Sequence, residues 1–121
     1  MHEVGIMEQT IAVAIDHAHR AGGTQIQGLR LQIGALSGVE PDALRFAFDV
    51  VTQGTMAQGA KLDIDFLPAI CYCHHCQKEF QPEAWIYVCP DCDSLSTDIR
   101  QGKELQLISV AVADPSTPDS L

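Results

Sequence analysis

The 121-residue sequence predicts an α/β fold: two helices on a mixed three-stranded sheet, with a short cysteine-rich knuckle inserted ahead of the third strand. Three observations predict it. Apolar residues recur at helical spacing over 6–20 and again after Pro41. They alternate with polar residues over 26–33, 61–67 and 104–112. All five cysteines crowd into the stretch Cys71 to Cys92, which shows no long period of either kind.

The first helix is expected over 6–20, where Ile6, Met7, Ile11, Ala14, Ile15 and Ala18 share one face and Gly22-Gly23 ends the run. The first strand follows over 26–33, with Leu29, Leu31 and Ile33 alternating against Arg30 and Gln32. Residues 34–38 read as a loop. Pro41 suits the first position of the second helix, because its missing N–H and fixed φ cost nothing there. Leu44, Ala47, Phe48 and Val51 line the apolar face of that helix, and Gly54 closes it. In the second strand, Leu62, Ile64 and Phe66 oppose Asp63 and Asp65, the pattern of a half-buried strand. After the cysteine segment, Leu105, Leu107 and Ser109 alternate with Gln106, Ile108 and Val110, a third strand able to rejoin the first sheet. Residues 114–121 have the composition of a disordered tail.

Composition excludes several functions. The formal net charge is −9, and the seven Lys and Arg residues are spread singly, so no basic stripe exists to neutralise phosphates. Nucleic acid is therefore not an expected partner. No apolar run approaches the roughly 20 residues that span a bilayer, and the first residues lack the basic and apolar regions of a secretory signal. A cytoplasmic protein with no membrane association is the expectation. No Ser/His/Asp arrangement, phosphate-cradling glycine loop or open three-ligand metal site is visible, so an enzyme is not expected.

Cys73-x2-Cys76 and Cys89-x2-Cys92 are separated by twelve residues. A two-residue spacer lets a tight turn aim both sulfurs at one ion, and two such turns supply four thiolates at tetrahedral corners. Clustering within one segment argues against a disulfide framework, which spreads its cysteines over a fold. The four are read as ligands of a structural zinc ion in a zinc-ribbon-like knuckle, which staples a segment too short to build its own core. Cys71 is then an extra free thiol. His74 and His75 lie inside the first turn, where exposure to solvent competes with a role in replacing a cysteine under acid or oxidation.

Met1-His2-Glu3 offers a second candidate. A free α-amine, the amide nitrogens of His2 and Glu3 and the His2 imidazole can close fused chelate rings around one ion. Nitrogen donors in tetragonal array suit Ni(II) or Cu(II). Glu3 and Glu40 each have the simpler role of an acid near a helix N-terminus. Bringing the residues to one point requires the 34–38 loop to lie beside the N-terminus.

Met1-His2-Glu3, Ile33-Gly34-Ala35-Leu36-Ser37, Val39-Glu40-Pro41, Leu44-x-Phe46-Ala47-Phe48, Gly54-Thr55, Gly59-Ala60-x-Leu62 and the two cysteine pairs in this order resemble the HypA/HybF hydrogenase nickel-incorporation proteins. The resemblance runs from Met1 to about Val112. It implies a metallochaperone that carries nickel to the large subunit of [NiFe]-hydrogenase during maturation and works with the GTPase HypB. In some organisms the family also serves urease, which adds urease maturation proteins as partners. It implies His2 as the central nickel ligand beside the Met1 amine, with Glu3 and Glu40 as oxygen ligands or supporting groups. Cys73, Cys76, Cys89 and Cys92 carry over as zinc ligands. On this basis 1–68 plus 103–113 form a nickel-binding α/β domain, 69–102 an inserted zinc-binding domain and 114–121 a tail. The GTPase surface is expected around Glu40 and the first helix. A monomer and a homodimer formed by exchange of the strands flanking the insertion are both compatible with the sequence. The alternative function is a zinc-ribbon interaction adaptor without a nickel role.

Overall fold

A computed structural model describes residues 2–83 and 86–113. The Met1 and 114–121 expectations lie outside the described residues. The chain runs α1 (Glu3–Arg20), β1 (Gln25–Gly34), α2 (Pro41–Val51), β2 (Lys61–Leu67), β3 (Ile70–Cys73), β4 (Lys78–Phe80), β5 (Asp98–Gln101) and β6 (Leu105–Ala113). β2, β1 and β6 form one sheet, with β1 central, parallel to β2 and antiparallel to β6. β4, β3 and β5 form a second, antiparallel sheet. The expected architecture, two helices with a mixed three-stranded sheet and a cysteine knuckle inserted before its last strand, is the one found.

The helices cover one face of the larger sheet. Met7, Ile11, Ala14 and Ala18 of α1 and Leu44, Ala47 and Phe48 of α2 are buried against Ile26, Leu29, Leu31 and Ile33 of β1. The opposite face carries Arg30, Asp63 and Asp65, and Arg30 pairs with Asp65 at 3.6 Å. α1 starts three residues before its apolar pattern does. His2 is its N-cap, the His2 carbonyl accepts from the Ile6 N–H at 3.0 Å, and Glu3 puts an acid in the first turn. Its end is a Schellman motif. Gly22 takes φ +77°, the Gly23 N–H reaches the Ala18 carbonyl at 2.8 Å and the Gly22 N–H reaches His19 at 3.1 Å. Gly23 then passes so close to β6 that a Cβ there would lie 2.5 Å from Val112 Cγ1. α2 stops at Val51 rather than running to Gly54. Thr52 caps it, with its buried hydroxyl donating to the Phe48 carbonyl at 2.7 Å.

Two side-chain placements depart from strict alternation. The β1–β6 register shifts between Arg30 (paired with Ser109) and Leu31 (paired with Leu107), leaving Ile108 as a bulge residue. The extra residue turns Leu107 to the same side as Val110, so both pack on the core, while Ile108 is exposed. Phe66, expected on the buried face of β2, is 52 % exposed. It lies near the end of the strand, opposite Ile33.

Candidate metal centres

The cysteine knuckle is built by two turns facing each other. The first leaves β3 at Cys73 and returns into β4 at Lys78. The Cys76 N–H points at the Cys73 sulfur, 3.4 Å away. In the second turn the Asp93 N–H donates to the Cys89 carbonyl and the Cys89 N–H to the Ser94 carbonyl, both at 2.9 Å. The residue after each pair, Gln77 and Asp93, takes a left-handed φ of +57° and +62°. Non-glycine residues adopt that conformation at a cost of roughly 1 kcal/mol, so both turns are held by something other than local preference. Lys78 forms an ion pair with Asp91, tying the first turn to the second.

The four sulfurs of Cys73, Cys76, Cys89 and Cys92 all lie within 4.8 Å of one another. Cys73 and Cys92 approach to 3.5 Å, and Cys76 and Cys89 to 4.0 Å. A tetrahedron with metal–sulfur bonds of about 2.3 Å has edges of about 3.8 Å. The spacing therefore fits four thiolates around one ion and is far too long for disulfides, whose S–S bond is about 2.05 Å. All-sulfur tetrahedral donors select zinc or iron–sulfur chemistry over hard cations.

The protonation of the cluster supports the same chemistry. Hydrogen bonds from the side chain and backbone of Ser94 pull the Cys92 thiol down to about 6. Its bond with the Cys92 sulfur, followed by burial and the neighbouring thiols, pushes Cys76 up to about 12. Without a cation Cys76 thus keeps its proton, and a divalent ion must expel it to bind. The sign follows directly. Cys76 gives up a proton at any ordinary pH, whereas Cys92 is already ionised above about pH 6 and adds a second proton to displace only below it. Zinc affinity, measured by competition with a chelator, is expected to fall as pH falls and to fall more steeply below about pH 6. A flat profile from pH 8 to 5 would contradict thiolate ligation.

Cys71 is fully buried under the knuckle, where burial and then the charge of Asp98 push its thiol up. It pairs with Phe80 and Ile99 across the second sheet and is not one of the four clustered sulfurs. His74 is engaged elsewhere too. Its Nε2 lies 2.8 Å from Asp98 Oδ2, and the Arg100 guanidinium holds the same carboxylate with two bonds of 2.8 Å. Arg100 also lies 4.1 Å over the Tyr72 ring, which meets the His74 ring edge-on at 4.7 Å. Arg100 first, and His74 after it, hold the Asp98 carboxyl down at about 2. Sequence reasoning missed this four-residue cluster and the Ser94 bonds. Its only signal was Asp98 and Arg100 two residues apart, the spacing that places them on one face of a strand.

Of the N-terminal candidates, Glu3 and Glu40 are in contact. The Glu40 N–H donates to Glu3 Oε2 at 3.2 Å, so the carboxylate of α1's first residue sits at the N-terminus of α2. That bond is the first cause of the lowered Glu3 pKa, followed by one from its own amide. Glu40 caps α2, with its Oε1 accepting from the Asp42 N–H at 3.3 Å. The His2 side chain makes no capping bond and is exposed. The Glu3 amide lies among the first amides of a helix, which have no carbonyl partner within it.

The family model described as "Hydrogenase/urease nickel incorporation, metallochaperone, hypA" matches residues 1–112. The chain belongs to the HypA family. Members of this family carry an ion and catalyse no reaction. Among its relatives, the hydrogenase maturation factor HypA of a Picosynechococcus species is 49 % identical over 112 residues, 93 % of this chain and 99 % of that protein. That of Methylocella silvestris is 36 % identical over the same shares. The solution structure of the Ni metallochaperone HypA from Helicobacter pylori superposes with a TM-score of 0.65 at 27 % identity, covering 94 % of this chain and 99 % of that one. A second HypA solution structure gives 0.68 at 29 %, covering 93 % and 97 %. Among the described residues, no helix is long and apolar enough to cross a membrane.

Proposed function

We propose that this chain takes up Ni(II) at its N-terminus and delivers it in the cytoplasm to the large subunit of [NiFe]-hydrogenase during maturation, in concert with the GTPase HypB. The ligands are the Met1 amine, the His2 and Glu3 amide nitrogens and the His2 imidazole. Glu3 and Glu40 act through the bond between them, which fixes the start of α1 against α2. The four cysteines hold a structural zinc ion that supplies the centre of the knuckle and no open coordination position. Two units follow from this division: 1–68 with 103–113 for nickel, and 69–102 for zinc.

The observation that carries the reading is the Glu3–Glu40 hydrogen bond beside an exposed His2 side chain that makes no capping bond to α1. A terminal site suits handover, since an acceptor can replace its donors one at a time. Nickel ranks below copper at nitrogen sites, so selectivity rests on geometry and on partners.

A nickel titration of the zinc-loaded chain with its native N-terminus tests it, alongside His2→Ala and a form with one added N-terminal residue. About one nickel per chain is expected in the first and none at comparable affinity in the other two. Equal binding in all three would remove the terminal site and leave a zinc-ribbon interaction adaptor.

A further inference from the structure

β6 has β1 on one side and, among the described residues, no strand on the other. The free N–H and C=O groups of an edge strand recruit another strand unless charge, proline or shortness blunts the edge. The opposite edge of this sheet is blunted: β2 carries Lys61, Asp63 and Asp65 within seven residues. β6 runs for nine residues, Leu-Gln-Leu-Ile-Ser-Val-Ala-Val-Ala, with no charged residue and no proline. Its bulge bends the strand, but the bulged residue is Ile108, 45 % exposed, which adds apolar surface instead of charge. Past the bulge, residues 109–113 still have the length of an ordinary strand.

A groove follows this edge. It holds about 320 Å³ between β6 and the end of α1, and His17, Ala18, Ala21, Leu107, Ile108 and Val110 line it. No Lys, Arg, Asp or Glu lines it. Val13, one helical turn before His17 on the same stripe of α1, is 48 % exposed.

That neutrality decides the occupant. The chain carries a net charge of −9, so a basic partner is steered to its acidic surfaces and gains nothing from an uncharged seam. A second copy, which carries the same −9, is repelled least where both facing surfaces are uncharged. Pairing one strand with itself across a two-fold axis is antiparallel and closes, so each edge satisfies the other.

We infer that β6 pairs with β6 of a second copy of this chain, giving a six-stranded sheet in the order β2-β1-β6-β6-β1-β2 with the two α1 stripes meeting over the seam. Each chain keeps its own β6 on its own β1, so no strand is exchanged. His2 lies about 22 Å along α1 from His17, at a rise of 1.5 Å per residue. The seam therefore leaves both N-termini open, and the pairing does not depend on the carrier reading.

Sedimentation equilibrium of the zinc-loaded full chain over about 1 to 100 µM tests it, a range in which interfaces of ordinary size assemble. The expected mass is twice the 13.1 kDa of one chain. Ala111→Lys puts a charge on the exposed side of the edge, and Val13→Lys puts one on the exposed stripe of α1 without touching a strand. Each is expected to weaken the dimer about tenfold or more. Circular dichroism and nickel stoichiometry per chain should stay unchanged. Phe46→Lys, on α2, should leave the dimer intact. A wild-type chain that stays monomeric throughout would overturn the inference. So would a dimer that survives whichever of the two lysine variants folds, since an exchanged strand or another face would then hold the copies. A dimer broken by Phe46→Lys would place the seam on α2 and overturn it as well.

Discussion

Stripping the zinc is expected to unfold the knuckle and leave the two-helix sheet folded. Cys71, Cys73, Phe80 and Cys89 are the buried residues of the smaller core, with Cys76, Tyr87, Cys92 and Ile99 packed around them. Most of these are cysteines, and four of them are the proposed ligands. Remove the ion and little apolar area remains to offset the chain entropy of ordering this segment. Structural zinc contributes about 10–16 kcal/mol to comparable sites, more than such a core supplies. The larger core is independent of it. Its buried residues come from α1, β1, α2 and the turn at Ala57, with no cysteine among them. Amide exchange after chelation should therefore show protection lost over β3, β4 and β5 and retained in α1, β1 and α2. Cys89→Ser should reproduce the pattern, since Cys89 is fully buried and its oxygen analogue is a poor zinc ligand. Retained protection over β3–β5 would mean that the zinc is not structural. Loss throughout would mean that the two units do not fold separately.

The parts of this fold that were legible in the sequence were those set by one side of one element. Period-two alternation placed β1 and β2, helical spacing placed α1 and α2, and the two Cys-x2-Cys turns placed the four-cysteine cluster. What escaped depended on a second element. Ile108 reads as an inward or outward residue only once the β1 register is known, and its bulge reverses the side on which the next residues fall. Phe66 continues the apolar pattern of β2 but is exposed near the strand's end. β3, β4 and β5 are three or four residues long, too short for any period to register. Their pairing is organised around the cysteines instead. At the N-terminus the residue types were visible, yet the link between Glu3 and Glu40 spans 37 positions and appears only when the loop after β1 turns back. Gly22-Gly23 are the helix stop that the sequence indicates, but the close passage of Gly23 against Val112 shows only in the fold.

That loop is the site of the second large effect. Gly34→Ala is expected to destabilise the chain by about 3 kcal/mol or more, as overpacking against backbone does. Gly34 ends β1 and is buried. A Cβ there would fall inside the van der Waals envelope of the Gly102 carbonyl and 2.6 Å from Glu104 Oε1. Neither neighbour can move cheaply. The Gly102 carbonyl accepts from the Leu36 N–H at 2.6 Å, the Gly102 N–H donates to Glu104 Oε1 at 2.9 Å, and the Glu104 carbonyl accepts from the Gly34 N–H at 2.8 Å. Gly102 is itself packed on Ala69, where a Cβ would meet the Ala69 backbone at 3.0 Å. The methyl group must therefore push apart the 34–38 loop and the segment that leads out of β5, and the same loop runs on to Glu40. Gly38 separates this steric effect from a conformational one. It takes φ +80° with open space around its Cβ position, so Gly38→Ala should cost only about 1 kcal/mol, the penalty of a left-handed alanine. In thermal unfolding of the zinc-loaded protein, Gly34→Ala should lower Tm by roughly 10 °C or more and Gly38→Ala by about a third of that. Equal, small shifts in the two variants would show that the contact between Gly34 and Gly102 does not constrain the chain.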